Sequence, residues 1–346
     1  MKVSVIIPTF NRAKIVREAI DSVLAQTFRD LEVIVIDDGS TDDTEFALRE
    51  YGSAIRYVKQ ENRGLNAARH RGLEIAGGDY IGLLDSDDLW CPFKAALDVS
   101  ILDAHPRAAI VFSDFYMLKQ DGRRDEHGLH RWFNGLPDWN AILGTGQDWP
   151  LGGVAGAEAI GSATVRVYAG DVYHSSLFGP RVLPSASLYR RAMAIGFRLN
   201  EQDPYCGDWE FFSQLSHKFE AIYVDEETAL NRSHEDEVRL TRADPRRWIV
   251  NRLAMIDRVW KHDAEFYAAH QNEVDGEIAG CVLRLLKLHL RKGDAPAARA
   301  AAGALDELAH VSLPASASFY KHLATMPGAA RIVPALDSLR RLVARA

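Results

Sequence analysis

Four short apolar runs, Val3 to Ile7, Leu31 to Ile36, Ile55 to Val58 and Tyr80 to Leu84, recur along the first ninety residues, separated by stretches of helical spacing. A β-branched run without polar alternation reads as a strand buried on both faces. Between the first two runs, Ile15, Val16, Ala19, Ile20, Val23 and Leu24 fall on one helix face, and Leu65, Ala68, Gly72 and Ile75 do so between the last two. The polar stretch Thr41 to Tyr51 is helix-compatible and fills the remaining gap. Strands that alternate with helices in this way leave little choice but a parallel sheet with right-handed crossovers. The series continues with a helix over Pro92 to Ala104, Pro standing in the first turn, and a strand over Ala109 to Phe112.

Regularity stops there. Residues 115 to 183 hold many Gly, several Trp and few periodic runs, so they read as an insertion of loops and short strands beside a site. Pattern returns in a strand at Ser187 to Arg190, a helix over Asp208 to Lys218 and a strand at Ala221 to Val224. Past Asp244 the composition shifts to Ala, Leu and Arg at helical spacing. The expected division is an α/β domain over 1–240 and a helical appendage over 241–346.

Composition narrows the function classes. Forty-one basic against 48 acidic residues give a net charge of −7, which argues against nucleic acid as a partner. Cys91, Cys206 and Cys281 show no CxxC spacing, so neither a zinc ribbon nor a disulfide framework is indicated, and a reducing cytoplasm fits. No stretch approaches the ~20 apolar residues that span a bilayer. The expectation is a soluble cytoplasmic protein, or one in peripheral contact with the inner face of the cell membrane; oligomeric state is not legible.

In an open parallel sheet, ligands bind outside the carboxyl ends of the strands. Pro8-Thr9-Phe10-Asn11-Arg12, Asp37-Asp38-Gly39-Ser40 and Asp85-Ser86-Asp87-Asp88 follow the first, second and fourth strands, which puts three polar clusters on one edge. Each alone also reads as helix capping. The last is the sharpest, because three carboxylates within four residues repel one another unless a cation is present. A hard divalent ion such as Mg or Mn would remove that repulsion and still seek phosphate oxygens.

These segments, with Glu61-Asn62-Arg63-Gly64-Leu65-Asn66-Ala67-Ala68-Arg69, resemble in order and spacing the family 2 glycosyltransferases. The resemblance covers residues 3 to about 105 and resumes around 184 to 234. It implies a GT-A type, Rossmann-like sheet, mostly parallel and flanked by helices, that transfers a sugar from a nucleotide with inversion and with a Mn or Mg ion. Carried over by position, Pro8, Thr9, Asn11 and Arg12 form the loop under the nucleotide, and Asp38 accepts a hydrogen bond from the base. Arg69 and Arg71 are alternatives for reaching the nucleotide, Arg71 being preferred. Asp85, Ser86, Asp87 and Asp88 become the acidic motif, with Asp87 as the direct metal ligand.

Inverting displacement needs one carboxylate to take the acceptor proton. Asp208 resembles the family's catalytic Asp, although local sequence explains it equally well as an N-cap. Where many members place an acidic residue before it, this chain has Gly207. Arg232 and His234 resemble the family's residues for diphosphate or metal. Trp132, Trp139 and Trp149 read either as sugar platforms or as a small satellite core. The amphipathic end from Leu336 to Val343 reads as docking on its own domain, with an anionic membrane as the alternative. The expected activity is transfer from a nucleoside-diphosphate sugar, UDP favoured, to a hydroxyl of a saccharide or lipid-linked acceptor in cell-surface polysaccharide synthesis. The alternatives are a nucleotidylyltransferase-like enzyme and a non-catalytic nucleotide-sugar-binding protein on the same fold.

Overall fold

The computed structural model describes residues 2–133, 138–232 and 244–326. Packing divides the chain into two units, Met1–Val238 and Arg239–Ala346. The first is built on a sheet whose first four strands are β1 (Val3–Thr9), β2 (Leu31–Asp37), β3 (Arg56–Lys59) and β4 (Tyr80–Leu83). All seven residues of β1 are buried, as its uninterrupted apolar run requires of a strand covered on both faces. It pairs in parallel with β2 and with β4, Ile6 standing opposite Ile34 on one side and Leu83 on the other. The helices α1 (Ile15–Leu24) and α3 (Leu65–Ile75) cover it, α1 through Val16, Ala19, Ile20 and Val23. Gly72 lets α3 lie close, since a Cβ there would come 2.4 Å from Ile6 Cγ2. Between β2 and β3, the α-helix α2 (Thr44–Leu48) is shorter than the polar stretch suggested and passes into a 3-10 turn.

Beyond β4 come β5 (Leu89–Trp90), the helix α4 (Lys94–Ala104), β6 (Ala108–Leu118), β7 (Arg124–Asp125), β8 (Gln147–Pro150), β9 (Thr164–Gly170), β10 (Ser187–Arg190) and β11 (Glu220–Arg232). The sheet runs β3-β2-β1-β4-β10-β6-β11-β9-β8, with β5 on β11 and β7 on β6. β10 is antiparallel to both β4 and β6, and β6 is parallel to β11. It follows that β1, β2, β4, β6 and β11 all point their carboxyl ends to one rim.

Two strands run longer than their apolar cores. β6 continues to Leu118, and β11 continues through the acidic run Asp225-Glu226-Glu227 to Arg232, with register shifts between Val224 and Glu227 and between Glu227 and Ala229. The bulges absorb the polar residues, which is why alternation failed to announce the strand. The stretch 115–183, expected as loops and short strands, holds β8 and β9, which extend the sheet through β11. Trp139 lies in the core, stacked on Tyr223 at 4.0 Å between centroids, and Trp149 faces His105 at 5.5 Å. The side chain of Trp132 is outside the described residues.

The second unit contains the helices Pro245–Ile256, Ala264–Lys292, Ala295–Glu307 and Ser316–Thr325. Asp244, Asp263 and Asp294 cap three of them, each accepting a backbone N–H from three residues on. Ala279, Leu286, Leu290, Ala302 and Leu305 fill their shared core. No described helix is long and apolar enough to cross a membrane. Leu336 to Val343 lies outside the described residues.

Candidate active site

The loops after β1 and β2 are stitched together by side chains that hold backbone N–H groups. Asn11 takes a left-handed φ of 52°, one of the few non-glycine residues for which that region is cheap. From there its side-chain oxygen accepts from Thr41 N at 2.8 Å, while its own N–H donates to Ser40 Oγ at 2.9 Å. Asp37 accepts from Ser40 N at 2.7 Å and from the Tyr57 hydroxyl at 2.5 Å. Burial and that carboxylate raise the Tyr57 phenol well above its ordinary range. Asp38, also buried, accepts from Gln60 Nε2, Arg63 N and Gly64 N at 2.7, 3.0 and 2.7 Å, so it fixes the chain leading into α3. Pro8 lies in buried β1, and Thr9 Oγ1 beside it is buried with no hydrogen-bond partner among the described residues.

Each carboxylate of the acidic cluster after β4 has its own partners. Asp85 meets the buried Arg69 at 2.6 Å, and the other arm of that guanidinium reaches Asp208 at 3.3 Å. Asp87 pairs with Arg12 at 2.8 Å, and the same arginine nitrogen lies 3.3 Å from Ser86 Oγ. Asp88 is buried and accepts from Asn231 Nδ2 and Arg232 N, both at 3.1 Å. Burial, with Asp87 and Asp85 nearby, raises the Asp88 carboxyl far above the ordinary carboxylate range. Asp88, expected among the metal ligands, holds the end of β11 through its bonds to Asn231 and Arg232. Arg232 donates from Nε to the Asp87 carbonyl at 3.1 Å and pairs with Glu18 at 2.5 Å.

Asp208 is the second residue of the helix Gly207–Lys218, whose N-cap is Cys206, so the N-cap reading of Asp208 does not hold. Its carboxylate accepts from Trp209 N at 2.7 Å and keeps 30% of its side chain exposed. Burial raises its pKa; Arg69 pulls the other way and Asp85 adds to the rise. Arg71, preferred over Arg69 for the nucleotide, is exposed and pairs with Glu74 at 2.8 Å. The helix period explains the difference: Arg69 and Arg71 are two residues apart and cannot face the same way. His234 lies outside the described residues. Sequence reading missed Asn66, Ser185 and Asn231. Ser185 Oγ accepts from Asp85 N at 3.2 Å, and only Asn66, three residues before Arg69 on the same face, carried a local signal.

The donor set bears on a metal. Asp85 and Asp87 keep 29% and 20% of their side chains exposed, whereas Asp88 is committed. One or two carboxylates at a rim fit a Mg or Mn ion that takes its remaining ligands from substrate phosphates and water rather than from a protein cage. A second group, Asp114, His127 and Glu227, brings ligand-type atoms within 4.8 Å of one another. There Asp114 accepts from Phe115 N and Leu129 N, and Glu227 from His127 N, so the two carboxylates hold the turn after β7.

Residues 4–152 match the family model described as glycosyl transferase family 2. Over that segment, which is less than half of the chain, the sequence is similar to the family. A glycosyltransferase of Rickettsia typhi, itself uncharacterized, is 40% identical over 119 residues, which is 34% of this chain and 37% of that one. The chain spans 18% to 37% of the length of the Rickettsia relatives it matches. Staphylococcus aureus TarS 1-349 in complex with UDP-GlcNAc superposes with a TM-score of 0.59 at 18% identity, covering 96% of this chain and 88% of that one. A mannosyltransferase from Pyrobaculum calidifontis in complex with GDP-Man and Mn2+ gives 0.51 at 18% identity, covering 98% and 87%. The glycosyl transferase segment therefore sits in a GT-A type α/β fold that also carries a helical C-terminal region.

Proposed function

We propose that this glycosyltransferase transfers a sugar, with inversion, from a nucleoside-diphosphate sugar to a hydroxyl of a saccharide or lipid-linked acceptor, with Asp208 as the base. The observation that carries the reading is the single Arg69 guanidinium held between Asp85, at the end of β4, and Asp208, 123 residues later in the chain. It ties the donor rim to the carboxylate that would receive the acceptor proton.

Thr9, Asn11 and Asp38 line the nucleotide end in this reading, with the unpartnered Thr9 hydroxyl ready for a polar group of the ligand. The acceptor oxygen attacks the anomeric carbon as its proton passes to Asp208, and the bond to the diphosphate oxygen breaks in the same in-line step. Asp208 needs only modest basicity, and a pKa raised by burial suits a proton acceptor near neutral pH. A Mn or Mg ion held by Asp87, and by Asp85 beside it, would supply positive charge to the departing diphosphate. UDP is the favoured nucleotide because TarS is recorded with UDP-GlcNAc, and the metal follows the mannosyltransferase with Mn2+. Cell-surface polysaccharide assembly at the inner membrane face is the setting proposed.

The test is a thermal-shift panel of UDP, GDP and TDP with their sugars, with and without Mn2+. A nucleotide at a hundred times its Kd stabilises the folded state by ~2.7 kcal/mol. Absence of any nucleotide-dependent shift would remove the donor site. With the donor so identified, Asp208→Asn is expected to retain nucleotide affinity while turnover falls ~10²- to 10⁴-fold; turnover equal to wild type would take Asp208 out of the mechanism.

A further inference from the structure

Gly207 precedes Asp208 at a position where glycine is not needed for its backbone. Its φ is not positive, and it stands at the start of a helix, where alanine is intrinsically better. What it provides is space. A Cβ on Gly207 would lie 2.2 Å from Asn66 Nδ2 and 2.9 Å from the Asn200 carbonyl oxygen.

Asn66 fills that space with a fully committed amide. Its two Nδ2 protons go to the carbonyls of Asn200 at 3.0 Å and Asp203 at 2.8 Å, and its Oδ1 accepts from Arg69 Nη1 at 3.3 Å. The amide orientation is dictated by chemistry, because two carbonyls face one end and a guanidinium the other. The same Arg69 Nη1 reaches Asp208 Oδ2. Asp203, in turn, accepts from Tyr205 N and Cys206 N, which fixes the turn from which the Asp208 helix starts. One buried side chain thus touches the guanidinium opposite Asp208 and the loop that launches Asp208.

We propose that Asn66 is a positioning residue for the transfer reaction, and that Gly207 is glycine so that the Asn66 amide can hold Arg69 and the Asp208 carboxylate in register. Asn66 touches no reacting atom in this arrangement. It acts through Arg69 and through the 200–206 turn, and it takes the ground where a side chain at 207 would otherwise stand. The inference rests on the reading of Asp208 as the base. It adds to that reading a residue that should govern turnover without governing nucleotide affinity.

The experiment is a double-mutant cycle with Gly207→Ala, Asn66→Ala and the two combined, measured on the full chain with whichever donor wild type turns over among UDP-glucose, UDP-GlcNAc and GDP-mannose in Mn2+. Each single variant should lower kcat ~10- to 100-fold, the scale of a small misplacement of catalytic groups, while the Kd for the nucleoside diphosphate moves less than threefold. In the combined variant the 2.2 Å clash with the Asn66 amide is gone and only the 2.9 Å approach to the Asn200 carbonyl remains, so the loss in kcat should be smaller than the product of the two single losses. Multiplicative losses, or single variants with wild-type kcat and normal melting, would overturn the proposal. Asn66→Gln, which keeps the amide but lengthens its reach, guards against misreading a folding defect: melting like wild type with reduced kcat supports positioning, and full activity opposes it. A wild type that turns over none of the three donors would instead overturn the functional reading on which the inference rests.

Discussion

The two halves of the rim are held by different physics. In the half built from β1, β2 and β4, the loops are fixed by side chains bonding backbone N–H groups close by in the fold: Asn11 to Thr41, Asp37 to Ser40, Asp38 to Arg63 and Gly64. In the half built from β6 and β11, order depends on buried charge. Lys94 and Asp98, both fully buried, pair at 2.6 Å, and the Lys94 ammonium also reaches Thr228 Oγ1 at 3.1 Å. Thr228 meets Ser113 at 2.7 Å, so this network pins α4 to the two longest strands. Turn chemistry of the first kind spreads its load over several neutral N–H donors, so loss of one bond leaves a polar group rather than a charge without a partner. Loss of one member of a buried ion pair leaves a charge with nowhere to go.

The comparison predicts its own largest failure. Asp98→Ala leaves the Lys94 ammonium buried with a hydroxyl as its hydrogen-bond partner, and should cost about 3–5 kcal/mol of stability. Urea unfolding would measure it, and a loss below about 1 kcal/mol would show that the charge escapes to water after all. Replacing the pair together, Lys94→Met with Asp98→Leu, should be close to neutral, because apolar residues of similar volume remove the desolvation penalty at its source.

A smaller effect is expected at the bulge. Glu226 is raised to about 7 from an ordinary 4.5, by burial first and then by Glu227 and Asp225. A carboxyl whose folded pKa lies above its unfolded one holds its proton more tightly when folded. Its contribution to stability is complete below pH 4.5 and is lost as pH climbs through about 7. Glu226→Gln should therefore melt at a temperature that declines less across this window than wild type does. Parallel declines in the two proteins would mean that Glu226 titrates normally.

The same contrast explains what the sequence could and could not disclose. The strands, α1 and α3, and the polar clusters after β1, β2 and β4 were legible because their causes are local: β-branched runs, helical spacing, and Asn, Asp or Ser at a strand end. Arg69 against Arg71 was not, because helical phase gives two faces and only the tertiary fold says which one is inward. Asp88 looked like its neighbours Asp85 and Asp87 until Asn231, 143 residues away, took its carboxylate. The sheet strands within 115–183 were hidden for a similar reason. β9 exists by pairing with Ala221 to Asp225 of β11, and β8 by pairing with β9, and no spacing within 115–183 discloses either partner.

The least drastic test belongs to the half held by turn chemistry. Arg12 and Asp87 keep 32% and 20% of their side chains exposed at 2.8 Å, a pairing of the kind worth about 0–1 kcal/mol. If a divalent ion uses Asp87, it must compete with that guanidinium, since the two positive charges cannot share one carboxylate oxygen without repulsion. Arg12→Ala should then bind Mn2+ more tightly in the absence of nucleotide, by up to ~5-fold, the ratio that ~1 kcal/mol supports. Titration followed by the electron paramagnetic resonance of free Mn2+ reads this directly, with no need for a substrate or for turnover. Asp85 offers the internal contrast, because Arg69 is buried between Asp85 and Asp208 and cannot yield as easily. An unchanged or weaker Mn2+ affinity in Arg12→Ala would move the ion away from Asp87, and with it the assignment of which carboxylate faces the diphosphate.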